Sequence, residues 1–282
     1  MKILLTGADG FTGAHFSRMA NADGHEILAL RTDLRSKGDL AREIALLDFT
    51  HVVHLAGISF VGHEDPRGFY DVNLIGTLNL LEALTASASL IKGVLLASSA
   101  NVYGNCPNSP ISEAEAPHPI NHYAMSKYAM EIMASPFGEK LPLIFARPFN
   151  YTGPGQNGSF LIPKLVDHFK RKAPKVVLGN LDVEREFNDV RFVCQSYLTL
   201  LQSSCHGETF NICSGRTYTL KAICELLESL TGHKTTLETN PDFVRQNELR
   251  NLCGNPCKLE QTIGSLPIKN IDETLRWMLD SP

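Results

Sequence analysis

No stretch of this chain is apolar over the length that a bilayer-crossing helix needs, so a helical membrane span is not expected. Neither sign of charge dominates. Twenty-six Lys and Arg stand against 30 Asp and Glu, a net charge of -4, and this gives no basic footprint for nucleic acid. The seven cysteines, Cys106, Cys194, Cys205, Cys213, Cys224, Cys253 and Cys257, are scattered and odd in number, which predicts free thiols rather than a disulfide framework. Cys253 and Cys257 lack the second pair or nearby histidine of a zinc site, so no metal is expected. Internal repeats and low-complexity segments are missing too. No export leader precedes Met1-Lys2-Ile3, which already begins a strand, and a cytoplasmic protein is expected. What remains is an ordinary globular composition, 43% hydrophobic and 20% charged, with length for a sizeable core.

Strand-like and helix-like patterns alternate through the first half. Short apolar runs at 2–6, 26–30, 51–56, 93–97 and 141–146 read as buried strands, and 12–22, 39–47, 66–85 and 122–134 as helices. This alternation predicts an α/β fold with a Rossmann-type, doubly wound parallel sheet covered on both faces. The rhythm breaks after Asn150 at the turn-rich Tyr151-Thr152-Gly153-Pro154-Gly155-Gln156-Asn157-Gly158. We expect a dinucleotide-binding domain over 1–150 and a smaller α/β substrate domain over 151–282, some of whose segments return to the first sheet.

Gly7, Gly10 and Gly13 follow the first strand and open the first helix. In such a loop the first glycine makes the tight turn and the second lets the backbone approach a pyrophosphate. The third lets helix and strand pack closely, with the helix N-terminus facing the anion. The spacing is G-x-x-G-x-x-G rather than G-x-G-x-x-G. The adenosine end of a dinucleotide is read just past the second strand, where Arg31 and Arg35 stand. A cation there favours NADP(H). The alternative, Asp33 accepting from a ribose 2′-hydroxyl, keeps NAD(H) open. Leu34 then fits the adenine edge.

Tyr123 and Lys127 are four residues apart on a predicted helix and therefore share a face. An ammonium beside a phenol lowers the phenol's pKa and makes it a proton donor and acceptor near neutrality. The segment Ser98-Ser99-Ala100-Asn101-Val102-Tyr103-Gly104 lies about 24 residues earlier.

Together with Thr6-Gly7-Ala8-Asp9-Gly10-Phe11-Thr12-Gly13, His54-Leu55-Ala56-Gly57, Val72-Asn73-Leu74-Ile75-Gly76-Thr77 and Arg147-Pro148-Phe149-Asn150, these segments resemble the extended short-chain dehydrogenases/reductases, the family of nucleotide-sugar epimerases, dehydratases and reductases. The resemblance implies that Tyr123 exchanges a proton with the sugar oxygen, that Ser99 holds that oxygen, and that Lys127 binds the nicotinamide ribose and tunes Tyr123. The count back from Val102-Tyr103-Gly104 favours Ser99 over Ser98, and Tyr103 reads as a packing aromatic. Asn73 would brace the helix carrying the tyrosine. Cofactor contacts are implied at Gly7, Asp9, Gly10, Phe11, Thr12, Gly13, Arg31, Asp33, Leu34, Leu55, Ala56, Gly57, Tyr123, Lys127 and Phe149. In this family two helices of each copy pair in a four-helix bundle, so a homodimer is expected. Leu74, Leu78, Leu81, Tyr128, Met130 and Met133 would supply its apolar surface.

The family's 4,6-dehydratases carry an acid–base pair, ending in Glu, just before the Val/Leu-Tyr-Gly. Here those positions are Ala100 and Asn101, neither of which can take the C5 proton. The second half, through Phe160-Leu161-Ile162-Pro163-Lys164, Arg185-Glu186-Phe187-Asn188-Asp189-Val190 and Phe243-Val244-Arg245-Gln246-Asn247-Glu248, is most similar to GDP-4-keto-6-deoxymannose reductases. By that likeness Ser59, Ser99, Asn150, Lys164, Arg185, Arg245 and Glu248 line the site of a nucleotide-diphosphate sugar, with arginines suited to bidentate diphosphate contacts. The Arg-Asp-Phe/Trp pattern has become Arg-Glu-Phe, which leaves the base identity open. The sequence thus points to an NAD(P)H-dependent reductase of a GDP-linked 4-keto-6-deoxyhexose, giving GDP-D-rhamnose or GDP-6-deoxy-D-talose for surface polysaccharide. A nucleotide-sugar 4-epimerase holding NAD, and a non-enzymatic cofactor-binding scaffold, are the competing readings.

Overall fold

The alternating first half builds a parallel sheet. In the computed structural model, which describes residues 1–181, 183–240 and 251–282, its strands are β1 (Lys2–Thr6), β2 (Glu26–Ala29), β3 (His51–His54), β4 (Gly93–Ala97), β5 (Leu143–Pro148) and β10 (Thr209–Ile212). They lie in the order β10-β5-β4-β3-β1-β2, each pair parallel. Side chains alternate between the faces of a strand. Ile3, Leu5, Val53, Leu95 and Ile144 therefore pack on α1 (Phe11–Ala22) and α7 (Val190–Gln202). Leu4, Val52, Val94, Leu96 and Leu143 pack on α2 (Lys37–Ala45), α4 (Thr77–Ala86) and α5 (His122–Ala134). With both faces covered, the strands read as unbroken apolar runs.

The strand order reverses at β1. The chain runs outward from β1 to β2, then crosses back to β3 on the other side. A crevice opens at such a point beyond the carboxyl ends of the strands. The loops after β1, β3 and β4 all end there.

Between β5 and β10 the chain adds β6 (Tyr151–Thr152), α6 (Leu161–Lys170), β7 (Lys175–Leu178), β8 (Glu184–Glu186), β9 (Asn188–Asp189) and α7. After β10 come β11 (Thr217–Thr219), α8 (Leu220–Thr231), β12 (Thr236–Thr239), β13 (Asn251–Leu252), α9 (Cys257–Ile263) and α10 (Ile271–Asp280). Leu165, Phe169, Val176, Leu227 and Leu275 form a separate apolar cluster there. The late elements α7 and β10 belong to the large sheet layer, so chain order and spatial grouping diverge after Asn150. Among the described residues no helix is long and apolar enough to cross a membrane.

Three sequence expectations are corrected here. The helix expected over 66–85 is α3 (Pro66–Tyr70), a π-helical turn Asp71–Gly76 and then α4. The π turn carries Asn73, whose side chain is drawn inward to polar partners described below. The strand expected over 141–146 starts later, because Leu141 is held in the preceding turn by its bond to the Phe137 carbonyl. Of the six apolar residues expected at a dimer face, Leu81 and Met130 are fully buried in the core. The exposed apolar side chains on these helices are Ile75, Met125 and Ile132, at 45%, 42% and 59%.

Candidate active site

The phosphate-loop glycines are fixed by space. Gly7 has φ +71°, a left-handed conformation, and a Cβ on it would stand 2.7 Å from the Ala56 nitrogen. A Cβ on Gly13 would stand 2.0 Å from the Gly7 carbonyl oxygen. Only a bare backbone lets β1, the loop and α1 approach this closely. The Gly10 nitrogen bonds to the Gly7 carbonyl at 3.0 Å, and Gly10 opens α1 with no side-chain cap. The cradle fits a dinucleotide pyrophosphate: it lies at a helix N-terminus and leaves no room for a side chain.

Behind the loop runs a buried chain of hydrogen bonds. The Ala56 N–H donates to Thr6 Oγ1 at 3.0 Å, Thr6 Oγ1 meets His54 Nδ1 at 2.7 Å, His54 Nε2 meets Thr77 Oγ1 at 2.8 Å, and Thr77 Oγ1 donates to the Asn73 carbonyl at 2.8 Å. One proton arrangement satisfies every member. Thr77 gives its hydrogen to Asn73 and accepts from Nε2–H, so Nδ1 is bare and accepts from Thr6. Burial drops the His54 ring to about 3, aided by the Lys127 charge, so it is neutral as this tautomer requires. The Asn73 side chain holds both Ile58 backbone groups, at 2.8 and 3.1 Å, and reaches Ser126 Oγ on α5 at 3.0 Å. Gly57 packs against it, since a Cβ there would stand 2.8 Å from Asn73 Oδ1. The sequence singled out Asn73, but not the His54 chain that joins the β1, β3 and α4 ends.

Tyr123 lies in the first turn of α5, where Asn121 caps the helix by accepting from the Ala124 N–H at 2.9 Å. Tyr123 and Lys127 are 7% and 6% exposed, so the i, i+4 spacing does place both on the buried face. Ser99 follows β4 as the cap of a 3₁₀ turn, Ala100–Tyr103, its side chain accepting from the Asn101 N–H. Among the described residues the buried Ser98 Oγ has no hydrogen-bond partner.

The electrostatics differ from the simple expectation. Burial raises the Tyr123 phenol above its ordinary value, and the Ser99 hydroxyl only partly offsets this. The Lys127 Nζ donates to the Ala97 carbonyl at 2.7 Å, and burial lowers its ammonium to about 8, against the opposing charge of Glu131. Tyr123 therefore carries its proton at neutral pH.

Beyond Lys127 the core holds an ion pair that the sequence did not announce. The Arg147 guanidinium grips Glu131 by Nε to Oε1 at 3.0 Å and Nη2 to Oε2 at 2.6 Å, with both side chains 7% exposed. Its Nη1 donates to the Tyr103 hydroxyl at 2.9 Å, which donates to Asn211 Oδ1 at 2.8 Å. Tyr103 is thus the packing aromatic expected, with its hydroxyl satisfied. Phe149, expected at the cofactor, has its side chain in the core cluster around Tyr103, Ile111 and Leu252. Phe11 stacks on Tyr151, whose hydroxyl meets Thr12 Oγ1 at 2.8 Å.

At the end of β2, Arg31 Nη1 donates to Asp9 Oδ2 at 2.9 Å, so this guanidinium stands against the phosphate loop. Asp33 pairs with Arg35, which holds its carboxylate by Nε at 3.0 Å and Nη2 at 2.6 Å and lowers its pKa to about 2. The Leu34 side chain is buried, and its carbonyl accepts from Asn79 Nδ2 at 2.9 Å. Replacing Arg31 with Asp is expected to shift preference from NADPH toward NADH, because a carboxylate accepts from a ribose 2′-hydroxyl and repels a 2′-phosphate. The ratio of the two cofactor KM values measures this. An unchanged ratio would show that Arg31 does not reach the adenosine ribose.

The remaining expected residues lie on separate segments of the chain. Ser59 is exposed in the loop after β3, and Lys164 lies on α6, its carbonyl accepting from His168 Nδ1 at 2.8 Å. The Asn150 carbonyl accepts from the Asn188 N–H at 2.9 Å. Arg185, on β8, bonds through Nη1 to the Glu184 carbonyl at 2.8 Å. Its neighbour Glu186 is fully buried. It accepts from the N–H groups of Gly254 and Ser214 at 2.6 and 2.8 Å and from Asn188 Nδ2 at 2.9 Å, and burial pushes its carboxyl up. The departure from Arg-Asp-Phe thus supplies a longer carboxylate that gathers three segments. Arg245 and Glu248 lie outside the described residues.

Strand ends that bring a phosphate loop and a buried serine, tyrosine and lysine to one crevice are the arrangement of the extended short-chain dehydrogenases/reductases. The chain belongs to the NAD dependent epimerase/dehydratase family, whose model matches residues 3–213. It is 35% identical over 271 residues to GDP-6-deoxy-D-talose 4-dehydrogenase of Aggregatibacter actinomycetemcomitans, covering 94% of this chain and 92% of that one. It is 36% identical over 298 residues to GDP-6-deoxy-D-mannose reductase of Pseudomonas aeruginosa, covering 99% and 96%. The structure of RMD from Pseudomonas aeruginosa complexed with NADPH superposes with a TM-score of 0.90 at 33% identity, over 99% of this chain and 98% of that one.

Proposed function

We propose that this protein is an NAD(P)H-dependent reductase of a GDP-linked 4-keto-6-deoxyhexose, forming a GDP-6-deoxyhexose. The observation that carries the reading is Tyr123, buried together with Lys127 on the face of α5 that meets the end of β4. Two full-length relatives named for GDP-6-deoxy sugars support it. Their named sugars, 6-deoxytalose and 6-deoxymannose, differ only at C4, the carbon that a 4-ketoreductase sets.

In this reading the Gly7, Gly10 and Gly13 backbone holds the cofactor pyrophosphate, Arg31 faces the adenosine 2′-phosphate and Lys127 binds the nicotinamide ribose. The bound cofactor supplies the hydride that the C4 carbon gains. Ser99 donates a hydrogen bond to the C4 oxygen, and Tyr123 gives that oxygen its proton. The carbonyl thereby becomes an alcohol, and solvent restores the tyrosine proton. We assign Arg185, Lys164, Asn150 and Ser59 to the nucleotide sugar, together with Arg245 and Glu248. The cofactor unit is 1–150 and the sugar unit mainly 151–282, with α7 and β10 lent back to the sheet.

The test is substrate choice. The enzyme is expected to oxidise NADPH with the 4-keto-6-deoxy product of GDP-mannose, and to leave GDP-mannose itself undehydrated, because Ala100 and Asn101 offer no base for C5. Absorbance of the reduced cofactor reports the first, and the product's C4 configuration then names the sugar. No cofactor oxidation together with interconversion of UDP-sugars would move the assignment to an epimerase.

The reading extends to assembly. Met125 and Ile132 share a face of α5 at i, i+7, and Ile75 lies on the π turn whose side chain Asn73 reaches α5. Such exposed apolar side chains support pairing with a second copy through a four-helix bundle. Light scattering at micromolar concentration is expected to give a dimer, and a monomer would count against the bundle.

A further inference from the structure

Ser99 Oγ receives two hydrogen bonds from a single residue: from the Asn101 backbone N–H at 3.2 Å and from its carboxamide Nδ2 at 3.1 Å. A serine hydroxyl has two lone pairs and one hydrogen. Both lone pairs are occupied, so only the hydrogen remains to face the crevice. We propose that Asn101 is a positioning residue that makes Ser99 a fixed hydrogen-bond donor and so presets the site for a substrate oxygen that gains negative charge. This rests on the assignment of Ser99 to the substrate oxygen made above.

The chemistry of the pair explains why a carboxamide suits this position. A ketone oxygen can only accept, and charge grows on it as hydride arrives at the carbon. A hydroxyl free to rotate would offer that oxygen a lone pair for part of the time and would have to reorient during the reaction. A donor already oriented avoids that cost. The backbone N–H alone fills one lone pair of Ser99, and the side-chain amide fills the other. The turn that carries both is rigid: Ala100 and Tyr103 are each 1% exposed, and the Asn101 carbonyl accepts from the Gly104 N–H at 3.1 Å. Aspartate at 101 would reverse the polarity. Its carboxylate accepts only, and the Ser99 hydrogen would turn toward it and away from the crevice.

The experiment is a double-mutant cycle. Asn101→Asp and Asn101→Ala are made alone and in a Ser99→Ala background, and kcat and KM are measured with the keto-sugar and NADPH. Asn101→Asp is expected to lower kcat roughly 100-fold, the scale for loss of one oxyanion donor, with KM changed less than about threefold. Asn101→Ala, which keeps the backbone bond, is expected to cost about tenfold. Without Ser99 either substitution should change kcat less than about threefold, because its target is gone. Equal losses with and without Ser99 overturn the proposal. A substrate-free arm separates this outcome from failure of the assigned reaction. The Tyr123 phenol is titrated by ultraviolet difference against Tyr123→Phe. Asn101→Asp should move its ionisation to higher pH, and most of that shift should vanish in the Ser99→Ala background. A shift of the same size in both backgrounds is a charge effect and overturns the proposal, whatever the substrate proves to be.

Discussion

Tyr123→Phe is expected to lower turnover by roughly 100- to 10,000-fold, the range for a positioned proton donor, with cofactor affinity close to that of the native enzyme. The hydroxyl is one atom on a ring that otherwise packs: Tyr123 is 7% exposed and contacts Phe69 at 6.0 Å between ring centres. Phenylalanine keeps that packing and removes only the proton. The helix α5 stays anchored by the Asn121 cap and by the Asn73–Ser126 bond, so Lys127 keeps its place on the Ala97 carbonyl. Stopped assays of kcat beside equilibrium titration of NADPH separate the two effects. A variant retaining more than about half of native turnover would remove Tyr123 from the role of proton donor.

The second large effect is on stability. Removing the carboxylate in Glu131→Ala is expected to cost about 3–5 kcal/mol, because it leaves the Arg147 guanidinium charged and uncompensated in the core. Arg147 has no exit to solvent, being 6% exposed, and its remaining partner in this network is the Tyr103 hydroxyl. Replacing both members with apolar side chains of similar volume should restore much of the loss, since the penalty belongs to the orphaned charge rather than to the pair. Denaturant unfolding measures both variants, and a loss below about 1 kcal/mol for the single change would mean that the charge finds another partner. The substitution has a functional signature as well. The Glu131 charge holds the Lys127 ammonium up against the effect of burial, which already brings it to about 8. Without Glu131 that value falls further, so Lys127 loses its proton at lower pH and the alkaline limb of activity should begin earlier.

These effects bear on residues of different visibility. Tyr123 and Lys127 could be read directly, because four residues on a helix fix which face they share. The glycine loop was equally plain, since its three positions have backbone reasons of their own, and the strands announced themselves through apolar runs that only a sheet covered on both faces can accommodate. The Arg147–Glu131 pair gave no such signal. Sixteen positions separate its members, one on a strand and one on a helix, and no periodicity links them. The same holds for His54, which reads as one more polar residue ending a strand until Thr6 and Thr77 are seen on either side of its ring.

Local geometry and residue type therefore determined, from the sequence alone, the alternating α/β plan, the phosphate loop, the proton-bearing tyrosine and the lack of a base at positions 100 and 101. The tertiary structure decided what depends on where distant segments meet. It brought β10 and α7 back to the first sheet, buried Leu81 and Met130 that the sequence had offered to a partner, and put Phe149 into the core. It also turned Asn101 from a missing base into a partner for Ser99. The physical reason is common to all of them. Spacing along a chain fixes direction within one helix or strand, whereas desolvation and long-range hydrogen bonds depend on the packing of elements that spacing does not relate.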